Sequence, residues 1–424
     1  MKTIKGYDVR IYTDNIDKTA VEQLRRLLSV DVFADKKIRI MPDVHAGAGC
    51  VIGFTGNLGD KVIPNIVGVD IGCGMRVAKL GRLSDIDFHA FHEHICRNVL
   101  SGMMAREEKF GFGQLPEEYS EIADEAKRLV ESLHCLKTLK SLQYVHDSLG
   151  TLGGGNHFIE LDRDDDGDGD LYLVIHTGSR NLGKQVADFY QKEAVRYHTA
   201  VQENFEETVQ KVIDEYKAAG RAKELQAVIK QMWDGYKAPD VESDLPADLC
   251  YLEGELRERY LHDMRLCQRW AVLNRELIAR LLLRFFSIAD AVSVPMFESV
   301  HNYISDDNLI RKGSISAASG ERCIIPLNMR DGSLLCTGKG NDDWNCSAPH
   351  GAGRVLSRSQ ANKNITMEDF RRSMKGIYSE SVSEFTLDES PMAYKPSDEI
   401  IANIGETVDI DTIIRPVFNF KATK

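Results

Sequence analysis

An α+β fold of layered sheets carrying a helical insertion is what this sequence predicts, and three features predict it. First, short strand-like segments end in glycine-rich turns: PDVHAGAG (42–49), NIVGVDIGCGMR (65–76), GGGNHFIE (153–160) and HTGSR (176–180). Sites collect where strands end in layered α/β folds. Second, residues 182–285 are dominated by Ala, Glu, Lys and Leu in long helical stretches, which marks them as an insertion. Third, 424 residues that are 43% hydrophobic supply a large core, within the range of one catalytic domain spanning 1–424.

The elements follow in order. Residues 4–12 alternate and read as a strand. Val21, Leu24, Leu27 and Leu28 fall at helical spacing, so 18–29 is a short amphipathic helix. Residues 37–41, 50–55 and 75–80 are strand-like. The helix over 85–100 carries His89, His92 and His94, but positions 89 and 94 face different sides and no glycine frame surrounds them. These three read as helix surface rather than a metal triad. His134, His146, His198 and His262 lie in polar helical contexts and read the same way. Two helices span 116–149, and a strand spans 156–161.

DRDDDGDGD (162–170) imitates the start of a calcium loop, with Asp162, Asp164, Asp166 and Gly167 in register. Leu173 stands where that loop needs a bidentate Glu, so the segment reads as an acidic hairpin turn. Residues 171–176 form a buried strand that delivers His176. The helical region 182–285 breaks near 235–248. Strand character returns over 288–299 and leads into His301. A strand pair at 323–327 and 333–337, a helix at 367–374 and a final strand at 417–420 complete the chain. No repeat at solenoid spacing occurs.

The formal net charge of −12 argues against a nucleic-acid coating protein, though not against an enzyme with a local basic track. Arg311, Lys312, Arg322, Arg330, Arg354 and Arg358 lie in one C-terminal stretch, and each taken singly reads as a solvated surface charge. Nine Cys at irregular spacing, an odd count with no CxxC pair, fit reduced thiols in a cytosol. No apolar run reaches transmembrane length and no leader opens the chain, so a cytoplasmic protein with no membrane partner is expected.

Asp70 and Cys73 offer two potential anionic metal ligands three residues apart, framed by Gly68, Gly72 and Gly74. Either alone reads as a turn former or a small buried residue. Four glycine-flanked or strand-end histidines, His157, His176, His301 and His350, favour a site instead. Carboxylate, thiolate and imidazole together suit Mn, Fe, Co or Zn over Mg or Ca. GGGNHF resembles a phosphate-cradling loop, but no GK[ST] follows it, and GVDIGCGM lacks the dinucleotide spacing. His350 lies in an exposed loop. A neutral imidazole is a competent nucleophile toward phosphorus, and Arg354 offers a fork for phosphate oxygens. On spacing alone, a turn residue or a fifth metal ligand describes His350 equally well.

PDVHAGAG, GVDIGCGM, GGGNHFIE, HTGSR, HNY (301–303) and HGAGR (350–354) occur in the order expected of RtcB-type RNA ligases. The chain resembles that family from about 41 to 358, and more weakly through Ala393, Tyr394, Lys395 and the C-terminus. The resemblance implies the RtcB-like fold and a GTP-dependent enzyme with two Mn(II) ions. It implies that His350 is guanylylated and that the guanylate passes to an RNA 3′-phosphate, giving an RNA(3′)pp(5′)G intermediate that a 5′-hydroxyl resolves. Asp70, Cys73, His157, His176 and His301 are then the metal ligands, with Cys73 bridging. Asn156 matches the α-phosphate contact and Glu160 the guanine contact, with Phe158 and Ile159 in the same motif.

Asn302, Ser333, Gly351, Ala352, Gly353 and Tyr394 fall on nucleotide-binding positions of that family. Asp43 matches the carboxylate that orients the nucleophilic imidazole. Arg180, Arg354 and Arg358 are expected to position the RNA-end phosphate, and Lys312 is a further active-site lysine. Pro326, Leu327, Asn328 and Met329 replace a Gly-Ser-Met type loop, and TGKGNDDWNCSAP (337–349) is an unusual lead-in to His350. The near-terminal guanine-side lysine is Lys421 or Lys424, and Lys421 directly ends the last strand. No KxDG motif of lysine-based ligases occurs. The expected substrates are therefore 3′-phosphate or 2′,3′-cyclic phosphate ends joined to 5′-hydroxyl ends, in RNA splicing or repair. A metal-dependent phosphoesterase of cyclic phosphates, or a non-catalytic module binding RNA ends or GTP, needs neither His350 nor Asn156.

Overall fold

The computed structural model describes residues 2–106, 115–164, 169–221, 224–235, 245–288 and 293–422. Residues 4–12, expected as one strand, instead turn back on themselves, with the Tyr7 N–H donating to Ile4 O at 3.3 Å. Strands β1 (Lys2–Thr3) and β2 (Val9–Ile11) result, and they pair antiparallel. Asp17 caps helix α1 (Lys18–Leu28) by accepting from the Ala20 N–H, and the helix buries Ala20, Leu24, Leu27 and Leu28. Strand β3 (Ile38–His45) runs on through PDVH, beyond the expected 37–41, and pairs with β4 (Ile52–Asn57). Next come β5 (Lys61–Val62), α2 (Pro64–Val67), β6 (Gly74–Gly81) and α3 (Phe88–Asn98).

The two helices expected over 116–149 are α4 (Ser120–Glu131) and α5 (Leu142–Asp147). Strands β7 (Phe158–Asp164) and β8 (Leu171–Thr177) form the acidic hairpin, closed by Asp164 N–H to Asp170 O at 3.0 Å. Asp166 and Gly167 fall outside the described residues. The helical region contains α6 (Arg180–Ala218), α7 (Leu225–Gly235), β9 (Leu252–Glu253) and α8 (Gly254–Leu283). The remainder comprises β10 (Met296–Val300), β11 (Asn302–Ile304), β12 (Leu309–Lys312), β13 (Ser314–Ser316), β14 (Arg322–Asn328), β15 (Gly332–Gly338), β16 (Ser347–Pro349), α9 (Arg358–Asn364), α10 (Met367–Ser373), α11 (Ser397–Ile404) and β17 (Val408–Lys421).

Two large sheets organise these elements. One runs β1-β2-β3-β4-β12-β11, and the other runs β10-β6-β8-β7-β17-β15-β14. Strand β17 has 14 residues where only 417–420 was expected. Its acidic residues and Pro416 disguise it in the sequence. Pairing with β15 on one side and β7 on the other makes it a strand, and the register shifts between Pro416 and Phe418.

Helix α8 packs against β6 and β8 and buries Tyr260, Trp270 and Arg275 completely. The Arg275 guanidinium donates to Gly72 O (2.9 Å) and Thr177 O (2.8 Å) and pairs with Glu298 (2.9 Å). A buried cation needs such partners, and two of them are the carbonyls of Gly72, beside Cys73, and Thr177, beside His176. The three histidines of α3 do not converge: His94 meets Leu281 O at 3.0 Å, while His89 and His92 meet Glu380 at 3.0 and 3.3 Å.

Candidate active site

Sheet register brings the candidate ligands to one edge. Gly74 pairs with both Thr177 and Val300, Met75 with His176, and Phe158 with His176. The residues flanking these pairs are Cys73 before β6, His157 before β7, His176 near the end of β8 and His301 after β10. Two ligand groups result, Asp70–Cys73–His157 and Cys73–His176–His301, each with its donor atoms within 4.8 Å of one another. Cys73 Sγ belongs to both. It lies 3.6 Å from His157 Nε2 and 3.3 Å from His176 Nε2. His176 Nε2 lies 3.4 Å from His301 Nε2, and His157 Nε2 lies 3.0 Å from Asp70 Oδ2.

Backbone carbonyls orient the rings. His157 Nδ1 meets Leu152 O at 2.8 Å and His176 Nδ1 meets Asn156 O at 3.2 Å. A carbonyl only accepts, so Nδ1 carries the proton and the Nε2 lone pair faces inward, which is how metal-binding histidines are usually held. His157 Nε2 and Asp70 Oδ2 then face each other as two acceptors, a close approach that needs a proton or a cation between them. Burial, followed by neighbouring imidazoles, pushes His176 and His301 well below their ordinary range, so both rings stay neutral. Burial and then the Asp70 carboxylate push the Cys73 thiol well up. Burial would also raise Asp70, but the contact with His157 outweighs it and leaves Asp70 below its usual value. A largely buried set of one carboxylate, one thiol and three imidazoles fits soft-to-borderline divalent cations.

His350 stands beside this cluster, its ring 4.9 Å from that of His301, centroid to centroid. Its Nδ1 meets the fully buried Asp43 Oδ2 at 2.6 Å, which leaves Nε2 free. Two glycines permit these approaches. A Cβ on Gly353 (φ +76°) would meet Asp43 O at 2.1 Å, and one on Gly178 would meet Asp70 Oδ1 at 2.2 Å. That explains why HGAGR and HTGSR carry glycine at those positions.

A cavity of about 1100 Å³ opens over both features. Its walls include Asp70, Cys73, His176, His301 and His350, together with Asn156, Phe158, Glu160, Asn302 and Lys421. Pro326, Leu327, Asn328 and Met329 line it, as do Gly351, Ala352, Gly353, Arg354, Arg358 and Tyr394. Strand alternation turns Ile159 into the main core, so its side chain is not part of the wall. Ser333 is buried and not part of the wall, and its hydroxyl has no hydrogen-bond partner among the described residues. Glu160 is fully buried, and Asn419 Nδ2 donates to it at 2.6 Å. Burial pushes its carboxyl well up, more than Asn419 and Lys421 pull it down.

Several expected residues are committed elsewhere. The Lys312 amine donates to Ala48 O and Asn65 O (2.8 Å to the latter), so it pins the glycine-rich turns rather than lining the cavity. Arg180 donates to Thr151 Oγ1 (3.1 Å) and Gly102 O (2.9 Å). Lys421, by contrast, does line the cavity and donates to Asn156 O (2.9 Å), whereas Lys424 is outside the described residues.

Three cavity residues were given no role by the sequence, although His45 lies in PDVHAGAG and Lys395 follows Tyr394. His45 lies two residues past Asp43, with its ring Nδ1 2.9 Å from Asp43 O. The buried Lys395 amine donates to Pro42 O (2.8 Å) and Asn15 O (2.9 Å), holding β3 under Asp43. Glu389 gathers Lys421 (2.9 Å), Arg354 (3.4 Å), Arg358 and the Tyr394 hydroxyl (2.7 Å), and so ties the last strand's lysine to both arginines. Only folding reveals this hub, because its partners are spread from 354 to 421.

Burial would raise Glu389, but the charges of Lys421 and Arg358 outweigh it and hold the carboxyl at about 2. A depressed carboxyl contributes stability above its unfolded value of about 4.5 and loses it as pH falls toward 2. The wild-type chain should therefore exceed Glu389→Gln in unfolding free energy by up to about 3 kcal/mol at neutral pH. Denaturant titrations from pH 7 down to 2 should show that margin constant above about 5 and closing below about 4.5. A margin independent of pH would remove Glu389 from this role.

The family model described as tRNA-splicing ligase RtcB matches residues 23–422. The chain is 28% identical to the RNA-splicing ligase RtcB of Escherichia coli (strain K12), over 98% of this chain and 97% of that one. It is 25% identical to the tRNA-splicing ligase RtcB of Aeropyrum pernix, over 96% and 93%. It is 26% identical to the tRNA-splicing ligase RtcB of Nanoarchaeum equitans, over 90% and 87%. With the family model covering nearly the whole chain, and its motifs meeting around one cavity, this protein belongs to the tRNA-splicing ligase RtcB family.

Proposed function

We propose that this chain is a GTP- and Mn(II)-dependent RNA ligase, acting as one catalytic unit with 182–285 inserted as a helical segment. It joins RNA 3′-phosphate or 2′,3′-cyclic phosphate ends to 5′-hydroxyl ends. The observation that carries this reading is the Cys73 thiol shared by two ligand groups, with the Asp43-bound His350 ring beside them. Asp70, Cys73 and His157 would hold one cation, and Cys73, His176 and His301 the other. Two bound cations neutralise phosphate oxygens and acidify water.

His350 is the nucleophile. Asp43 accepts the Nδ1 proton, so the Nε2 lone pair attacks the α-phosphorus of GTP and pyrophosphate leaves. An oxygen of the RNA 3′-phosphate then attacks the same phosphorus. The P–N bond breaks, and RNA(3′)pp(5′)G forms with His350 restored. The 5′-hydroxyl attacks the 3′-phosphate and expels GMP. Glu160 can accept from guanine N1–H and N2–H, donors that adenine does not present together, which favours GTP over ATP. Phe158 and Tyr394, which line the cavity, would flank the base, and Arg354 and Arg358 bring guanidinium groups to its wall. RNA binding through phosphate contacts should weaken with salt despite the acidic chain. Nine free thiols and the absence, among the described residues, of a helix long and apolar enough to cross a membrane fit a cytoplasmic enzyme.

The test is end chemistry. Oligonucleotides that differ only in their termini, supplied with GTP and Mn(II), should be sealed when a 3′-phosphate or cyclic phosphate meets a 5′-hydroxyl. A 5′-phosphate with a 3′-hydroxyl should stay unjoined. Joining of that last pair alone would overturn the reading, and opening of the cyclic phosphate without joining would make the protein a phosphoesterase.

A further inference from the structure

Outside the cavity, folding assembles a second cluster from residues without any motif. Asp263, on α8, is completely buried. Its Oδ1 accepts the His134 N–H at 2.9 Å, and its Oδ2 accepts the Cys135 N–H (3.0 Å) and the Tyr190 hydroxyl (2.8 Å). His262 Nδ1 also meets Oδ1, at 3.0 Å. A carboxylate held by three donors acts as an acceptor, so the proton of this contact lies on Nδ1. The Nε2 lone pair of His262 is then free, on a ring that is 45% exposed. His134, just past the end of α4, sets its exposed ring beside it, with centroids 4.6 Å apart and planes at 57°. One nitrogen from each ring and one Asp263 oxygen lie within 4.8 Å of one another.

From this geometry we infer a peripheral site for a divalent transition metal such as zinc, with His134 and His262 as ligands. Asp263 is the carboxylate that fixes the ring of His262. A histidine that donates one ring N–H to a carboxylate and presents the other nitrogen is the usual metal-ligating arrangement. Paired imidazoles select zinc, nickel or copper, whereas magnesium and calcium call for oxygen ligands. Asp263 spends its oxygens on protein donors, so it serves as the buttress and water completes the coordination. An ion here would join the end of α4 to α8, the helix whose Arg275 holds the strand ends of the cavity.

Equilibrium dialysis of the full chain against Zn(II) tests the site. The double variant His134→Ala/His262→Ala should bind about one zinc per chain fewer than wild type. The same deficit should persist in a Cys73→Ala background, where the central cluster is disabled. His134→Gln alone keeps the backbone donor to Asp263 and should also lose the zinc, so the result does not depend on tolerance of the double change. Equal zinc content in wild type and the variants, or a deficit that disappears when Cys73 is absent, would overturn the inference.

Discussion

Replacing His350 with alanine should abolish transfer of label from α-labelled GTP to the protein, a loss of at least about 10⁴-fold, the scale seen when an enzyme loses its nucleophile. The proposed attack on phosphorus needs an oriented imidazole, and the His350 ring is held by a buried carboxylate: Nδ1 rests 2.6 Å from Asp43 Oδ2. Alanine also strips the buried Asp43 of that partner, and an unpaired buried group costs about 1–3 kcal/mol. His350→Ala should therefore melt earlier than wild type while remaining folded. His350→Gln separates the two effects, because its amide can donate to Asp43 yet carries no nucleophilic nitrogen. Both variants should stay unlabelled, and the glutamine variant should recover part of the lost stability. In the wild-type chain the label should be acid-labile and base-stable, as a phosphoramidate is. Undiminished labelling of either variant would move the nucleophile elsewhere.

Cys73→Ala should produce the largest loss of metal. Its Sγ is common to both ligand groups, so its removal weakens both cations, whereas Asp70→Ala or His301→Ala opens only one group directly. Loss of even an outer partner of a ligand costs about 10- to 100-fold in affinity, so loss of a shared ligand should cost at least about 100-fold. Manganese content after dialysis, measured beside guanylylation, decides the matter. Cys73→Ala should lose both ions and all labelling, and His301→Ala should retain manganese in the Asp70–Cys73–His157 group. Wild-type metal content and labelling in Cys73→Ala would refute the shared-thiol site. Zinc is expected to bind this thiol-containing centre well and still support the reaction poorly, since occupancy follows affinity while catalysis depends on geometry and ligand exchange.

The sequence by itself determined the α+β class, the places where strands end, and the residues able to carry the chemistry. Asp70 and Cys73 sit in a glycine frame, and His157, His176 and His301 lie at strand boundaries, patterns set by local backbone needs and readable one segment at a time. The resemblance of six ordered motifs added the family.

Only the tertiary structure decided how these residues meet. Sheet register placed four strand ends side by side, and it is a long-range property that no single segment encodes. The same holds for the hub at Glu389, whose partners come from separate segments, and for Arg275, a charged residue in a helix that sequence composition marks as an insertion. Both are buried charges whose partners are supplied only when distant segments pack. Strand β17 was hidden by Pro416 and its acids, because pairing on both sides overrides weak strand propensity. His134 and His262 carry no local signal at all. Asp263 brings them together by accepting donors from three separate parts of the chain, since a buried carboxylate is tolerated only where its lone pairs are met.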